Sequence, residues 1–143
     1  MSENIVKNDF NEIWSRWEPD VPNLACKYYI ASICYNYEDF RVILEEEGGD
    51  HKIELLFSAI SSFCITDEGR RLKLYDKLSD SYGTDFYRSW TFFKVEQSEY
   101  LKWLSIQSYE ISDICKVQHF ALLGIESVLD VIAVCDPKIK IFN

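Results

Sequence analysis

Two histidines, His51 and His119, are the chain's entire supply of imidazole, so any acid–base, nucleophilic or metal chemistry has few residues to draw on. His119 falls in Lys116-Val117-Gln118-His119-Phe120-Ala121-Leu122-Leu123, where it alternates with Val117 and Ala121. That pattern places it on one face of a strand, and it favours a structural imidazole over a catalytic one. Cys115 stands four residues earlier. The Cys-x-x-x-His spacing offers two metal ligands, and nothing nearby completes a closed site. Asp130 is the single acid within Ser127-Val128-Leu129-Asp130-Val131-Ile132-Ala133-Val134. In an alternating strand it shares a face with Val128 and Ile132, where a carboxylate needs a partner. A cross-strand neighbour such as His119 would supply one. The sharper alternative is an inward catalytic acid, with Cys115, His119 and Asp130 forming the site of a small enzyme or ligand-binding protein.

A second group of residues has no obvious structural task. Glu45-Glu46-Glu47-Gly48-Gly49-Asp50 puts four carboxylates within six residues, beside a glycine pair. A hairpin turn uses the glycines, because they reach positive φ without strain. It does not use the acids. Glu38, Asp39 and Glu54 flank the same two strands. A solvated turn is the simplest account of all seven. The functional account is a negatively charged docking surface for a basic partner, which would steer and speed association.

Totals narrow the classes. The formal net charge of −9 argues against direct nucleic-acid binding, which needs Lys and Arg to neutralise phosphates. The excess is uneven: residues 1–60 carry twelve acids and five bases, residues 61–143 twelve and ten. No apolar run approaches the roughly 20 residues of a membrane span. The start, Met1-Ser2-Glu3-Asn4-Ile5-Val6-Lys7, lacks the basic-then-apolar pattern of a secretory signal. A cytoplasmic protein without membrane contact is the expectation. There is no Gly-rich phosphate loop, no Gly-x-Ser-x-Gly and no His-Glu-x-x-His, so neither a cofactor nor a metal is predicted. Trp14, Trp17, Trp90 and Trp103 sit at apolar positions without interleaved Lys or Arg, which suits a core or partner surface better than base stacking.

The elements that must position these groups follow from periodicity. Phe10, Ile13, Trp14 and Trp17 fit a short helix ended by Pro19 and Pro22. Residues 26–37 are β-rich with apolar side chains on both faces, which predicts a central strand. Asn36 to Asp39 form a turn, and two strands then flank the acidic tip. Ile53, Leu55 and Phe57 mark the buried face of the second. Thr66 is the expected N-cap of a helix carrying Leu72, Tyr75 and Leu78 and closed by Gly83. Residues 89–97 return to strand. A second helix follows Ser98 or Gln97 as cap, with Tyr100, Leu101 and Leu104 inward. Two final strands meet at Gly124-Ile125-Glu126, and Pro137 ends the last of them. Hairpin-length links make this one α+β domain over residues 1–143, a mainly antiparallel sheet of about six strands with two or three helices packed against it.

One stretch carries a resemblance. Residues 89–111, with Ser98, Glu99, Tyr100 and Trp103, lead to Gln118-His119-Phe120, then Asp130-Val131-Ile132 and Pro137, with Thr66-Asp67-Glu68-Gly69-Arg70-Arg71 upstream. Here the chain resembles bacterial immunity proteins encoded beside polymorphic toxins of the contact-dependent growth inhibition and Rhs types. The likeness covers roughly the second half. It implies a non-enzymatic inhibitor that binds one cognate toxin domain in the cytoplasm. A nuclease toxin must present a basic surface to its substrate, and an acidic inhibitor can occupy that surface. Glu45, Glu46, Glu47 and Asp50, with Glu38, Asp39 and Glu54, are the residues expected to face it.

The five cysteines, Cys26, Cys34, Cys64, Cys115 and Cys135, are odd in number and contain no Cys-x-x-Cys. Most lie in apolar runs, as small hydrophobes in a reducing compartment do. Thiol titration of protein denatured without reductant should therefore count all five as free. A lower count in fresh material would contradict a reduced set.

Overall fold

Ile53, Leu55 and Phe57 are buried to the last per cent, while Lys52, Glu54 and Leu56 between them are not. This period of two makes a sheet with one inward face, and a second sheet must cover it. The computed structural model describes residues 10–24, 27–111 and 116–142. Among them nine strands form two antiparallel sheets. One sheet has the order β1-β6-β7-β8-β5, comprising β1 (Ile13–Arg16), β6 (Phe92–Glu96), β7 (Gln118–Leu123), β8 (Ser127–Ala133) and β5 (Ile60–Asp67). The other has the order β2-β3-β4-β9, comprising β2 (Tyr28–Tyr35), β3 (Phe40–Glu46), β4 (Lys52–Phe57) and β9 (Lys138–Phe142). The chain passes from one sheet to the other at Ser58 and Ala59, between β4 and β5.

The inner faces share one core. Phe40, Val42, Leu44, Ile53, Leu55 and Phe57 meet Phe92, Phe120, Leu122, Leu129 and Val131. On the other side of the five-stranded sheet, Trp14, Phe93, Ala121, Leu123 and Val128 pack against Leu74 and Leu78 of α1 (Leu72–Tyr82). α2 (Asp85–Arg88) and α3 (Glu99–Gln107) lie beyond. The order of layers is helices, five strands, four strands. β7 and β8 are therefore covered on both faces, which is why their sequences are almost continuously apolar. Lys27 ties three segments together: its ammonium donates to the carbonyls of Tyr87, Trp90 and Leu123 at 2.8, 3.0 and 2.5 Å.

The α+β class, the antiparallel pairing, the acidic hairpin and the β7–β8 hairpin agree with the sequence pattern. Several details do not. Residues 13–16 are an edge strand, with Trp14 buried opposite Val95 and Ile13 exposed. Over four residues, periods of 2 and 3.6 select nearly the same side chains, and pairing with β6 decided between them. β2 is an edge strand, not a central one. A bulge between Ile30 and Ser32 swaps its alternation, so Tyr28, Ile30 and Ile33 turn to the core while Cys34 and Tyr35 are exposed. Both faces of β2 look apolar because the register slips midway.

β5 was hidden by its serines and by the helix signal after it. Thr66 lies in this strand, and Asp67 is the cap, accepting from Gly69 N at 2.7 Å to open a 3₁₀ turn over Glu68–Arg70. α1 follows at Leu72 and is closed by Gly83 at φ 86°. Pro137 precedes β9 instead of ending the sheet. There Ile139 and Ile141 pack inward opposite Leu55 and Ile53. Nine strands in two sheets thus replace about six in one.

Phe57 sits between Phe40 and Phe120, one ring from each sheet. Phe57→Ala should lower stability by about 3–5 kcal/mol, whereas Tyr37→Ala, at a fully exposed position, should leave it within about 0.5 kcal/mol. Urea unfolding of both variants measures this. Equal midpoints would show that the two sheets do not share a core.

Candidate functional site

Asp130 enters β8 from a register that opposes Ala121 on β7 and Cys64 on β5. Its carboxylate points to the helical side of the sheet, where it is 5% exposed. Oδ1 accepts from His119 Nε2 at 2.7 Å, and Oδ2 accepts from Arg71 Nη1 at 2.9 Å. Arg71 belongs to the turn that leads into α1, so the pair fastens that turn to the sheet. His119 Nδ1 is 2.7 Å from Ser98 Oγ. Ser98 is the N-cap of α3, and its hydroxyl also accepts from Leu101 N at 3.0 Å. Trp14 and Tyr100 stand edge-on around the imidazole, with ring centroids at 6.4 and 5.6 Å. Tyr100 in turn hydrogen-bonds Ser62 on β5, and burial pushes its hydroxyl pKa up. One buried carboxylate thus engages β7, the α1 turn and, through His119, α3.

The donors and acceptors balance. With a neutral imidazole, Nε2–H donates to Asp130 and Nδ1 accepts from Ser98. With an imidazolium both nitrogens donate, and Ser98 accepts through its remaining lone pair. Burial pushes the Asp130 carboxyl up, but the His119 hydrogen bond and charge, followed by Arg71, outweigh burial and hold it below the ordinary carboxylate range.

Ser98, His119 and Asp130 are the three residue types of a serine hydrolase, in contact. The wiring differs from that of an attacking serine. In the hydrolase arrangement the serine meets Nε2 and the acid meets Nδ1. Here they are exchanged. Ser98 is 1% exposed and its oxygen is committed to a helix cap, so no substrate carbonyl reaches it. The expectation that Asp130 takes an internal partner and that His119 is that partner agrees with this geometry. Cys115 lies outside the described residues. Among those described, no three His, Cys, Asp or Glu side chains converge as metal ligands.

Arg71, Ser98 and Tyr100 were not singled out for this network from the sequence. The available signal was the need of a buried acid for a cation: Arg70 and Arg71 directly precede a helix whose apolar face must lie on the sheet. The spacing of 59 residues between Arg71 and Asp130 gives no hint of the pairing.

The acidic set is divided by the fold. Glu45, Glu46, Glu47 and Asp50 surround the β3–β4 turn, which Gly48 permits at φ 71° and which closes through Glu46 N to His51 O at 2.9 Å. Glu46 folds back so that a Cβ on Gly49 would collide with its carboxylate. His51 is half-buried at the foot of the turn with Nδ1 2.7 Å from Tyr28 Oη. Glu45 pairs with Lys52 at 3.5 Å. Among the described residues Glu46, Glu47 and Asp50 have no ion-pair partner. Glu38 and Asp39 sit at the opposite end of β3, roughly 20 Å away at about 3.3 Å per residue. There the Asn36 side chain accepts from both of their amides. Glu54 lies mid-strand and meets Arg41 at 3.2 Å, which also approaches Asp39 at 3.8 Å. The tip is therefore one acidic surface, and the other three residues are not part of it.

No protein-family model, curated protein or solved structure matches this chain. Among the described residues no helix is long and apolar enough to cross a membrane.

The Asp130 network gives a signed expectation. Its depressed folded pKa contributes stability that is complete above the unfolded carboxylate value, about 3.9, and is lost as pH falls through the folded value. Asp130→Asn should cost about 1–3 kcal/mol at pH 7, and the gap to the parent protein should narrow below about pH 4. Urea midpoints at pH 7 and pH 3 test this. A gap that stays constant with pH would show that the carboxylate charge does not stabilise the fold.

Proposed function

We propose that this protein is a cytoplasmic immunity protein that binds one cognate antibacterial toxin domain and blocks it without turnover. The observation that carries the reading is the β3–β4 tip: three carboxylates, Glu46, Glu47 and Asp50, with no ion-pair partner among the described residues, beside a fourth held by a single lysine. The turn geometry is met by Gly48 and by backbone hydrogen bonds, so the acids serve no folding purpose there. Like charges gathered at a tip repel one another, and a basic partner relieves that repulsion. A nuclease domain is such a partner, because its own substrate is a polyanion. The acidic tip then occupies the surface that holds phosphates, and the inhibitor itself does not bind nucleic acid. The resemblance of residues 89–137 to immunity proteins supports the same reading from a different part of the chain.

The hydrogen-bonded closure around Ser98, His119 and Asp130 favours scaffold over catalysis at the other polar cluster. Glu38 and Asp39, at the far end of β3, reach the same partner only if its footprint spans the whole strand.

The test begins with a search of the flanking genes for a toxin domain, which is then used as the partner. Glu45, Glu46 and Glu47 are replaced together by glutamine, and association is followed by stopped flow at low and high salt. The association rate at low salt should fall by about tenfold or more and its salt dependence should flatten, with thermal stability unchanged. An unchanged rate and affinity at low salt would reduce the tip to a solvated turn. Failure of the parent protein to bind or protect against the neighbouring toxin would overturn the immunity reading itself.

A further inference from the structure

A cleft of about 380 Å³ opens on the helical side of the five-stranded sheet, over the outer edge of the Asp130 network. Its volume lies within the roughly 300–1,000 Å³ of ligand pockets. Three acids line it, and each is already engaged. Asp130 is bound by His119 and Arg71. Glu12 accepts from Trp14 Nε1 at 3.0 Å and from Glu99 N at 2.8 Å. Glu99 is paired with Lys102 at 3.0 Å.

Two lysines line the same cleft, one turn apart on α1. Lys77 Nζ lies 5.6 Å from the centre of the Phe10 ring, with no carboxylate within ion-pair reach among the described residues. Lys73 has no hydrogen-bond or ion-pair partner among them. Arg71 offsets Asp130, and Lys102, outside the cleft, offsets Glu99, so Glu12 stands against the ammonium groups of Lys73 and Lys77, the second of them over the Phe10 ring. Two aromatic rings, Phe10 beside Lys77 and Tyr100 beside His119, also line the cleft.

We propose that this cleft binds a small organic anion with a planar apolar body, its charged head between Lys73 and Lys77 and its body against Phe10 and Tyr100. Two ammonium groups one turn apart, neither within ion-pair reach of a carboxylate among the described residues, favour the head. The aromatic rings add apolar contact that a bare inorganic anion cannot use. Each of the three acids is paired with or hydrogen-bonded to a neighbouring donor, which offsets its repulsion of an anionic head. The proposal does not depend on the acidic hairpin, which belongs to the other sheet.

Phenyl phosphate, phenol and inorganic phosphate are suitable probes, titrated by calorimetry and by the indole N–H resonance of Trp14. Phenyl phosphate should bind saturably at one site, and phenol and inorganic phosphate should each bind about tenfold more weakly or less. The Lys73→Gln, Lys77→Gln double variant should weaken phenyl phosphate binding by about tenfold or more. Lys138→Gln with Lys140→Gln removes the same charge from β9 and should leave binding unchanged. Phe10→Ala supplies a second test of the aromatic contact, should the lysine variant lose its fold. Absence of saturable binding at millimolar phenyl phosphate, equal affinity for inorganic phosphate, or equal loss in the two lysine variants would overturn the proposal. The glutamine hairpin variant should bind phenyl phosphate like the parent, which separates this outcome from the fate of the toxin-binding reading.

Discussion

A carboxylate in the middle of a covered sheet cannot be left alone. Asp130 is such a group, and three structural units are arranged to answer it. His119 comes from the neighbouring strand, Arg71 from the turn before α1, and Ser98 stands behind His119 at the start of α3. Each of these donors is drawn from a different part of the chain, so the network fixes how the helical layer lies on the five-stranded sheet. Apolar packing of Leu74 and Leu78 gives that layer its adhesion. Dispersion and burial are tolerant of small slides, whereas hydrogen bonds of 2.7 to 2.9 Å are not. The polar chain therefore supplies the register and the apolar contacts supply the energy. Removing Asp130 alone would leave the His119 and Arg71 donors without their acceptor, whereas a buried ionic cluster replaced as a whole by apolar residues is often no less stable. What such a replacement would lose is the alignment of α1 and α3.

How much of this was readable beforehand depends on the range of the interaction. The inward faces of β3, β4, β7 and β8 were legible because each is a local alternation or a continuous apolar run. The hairpin turns were legible because Gly48 and Gly124 sit between such runs. The lone acid in β8 declared its need for a partner, and the adjacent strand offered one imidazole. The edge strands were the failures. β1 and β5 each show one open face and are short or serine-containing, so their strand character comes from β6 and β8 beside them. The β2 bulge was unreadable for another reason: Ala31 gives no sign that it is the inserted residue, and one insertion reverses every later side chain.

The two charged regions illustrate a division between what folding requires and what it leaves free. Around Asp130 both carboxylate oxygens and both imidazole nitrogens of His119 have a partner, and change is costly. At the β3–β4 tip the backbone carries the turn, and among the described residues its acids have one ion-pair partner, Lys52. The cleft lysines on α1 likewise have no carboxylate within ion-pair reach among the described residues. Both regions lie at the margins of rigid strands and helices, which hold them in place without dictating their chemistry.

The pairing of β4 with β9 has a consequence for the order of assembly. Leu55 hydrogen-bonds beside Ile139, and Trp14 beside Val95, so an early strand in each sheet waits for a much later one. Contacts of such sequence separation are slow to form, because the intervening chain must close a long loop first. On the ribosome, β2, β3 and β4 emerge as a meander well before β9 covers the open edge of β4. Until β8, which ends at Ala133, has cleared the exit tunnel, the inward face of Phe40, Leu55 and Phe57 lacks the complete second sheet. The nascent chain must carry that apolar surface exposed for most of its synthesis, a period in which it is a natural client for chaperones.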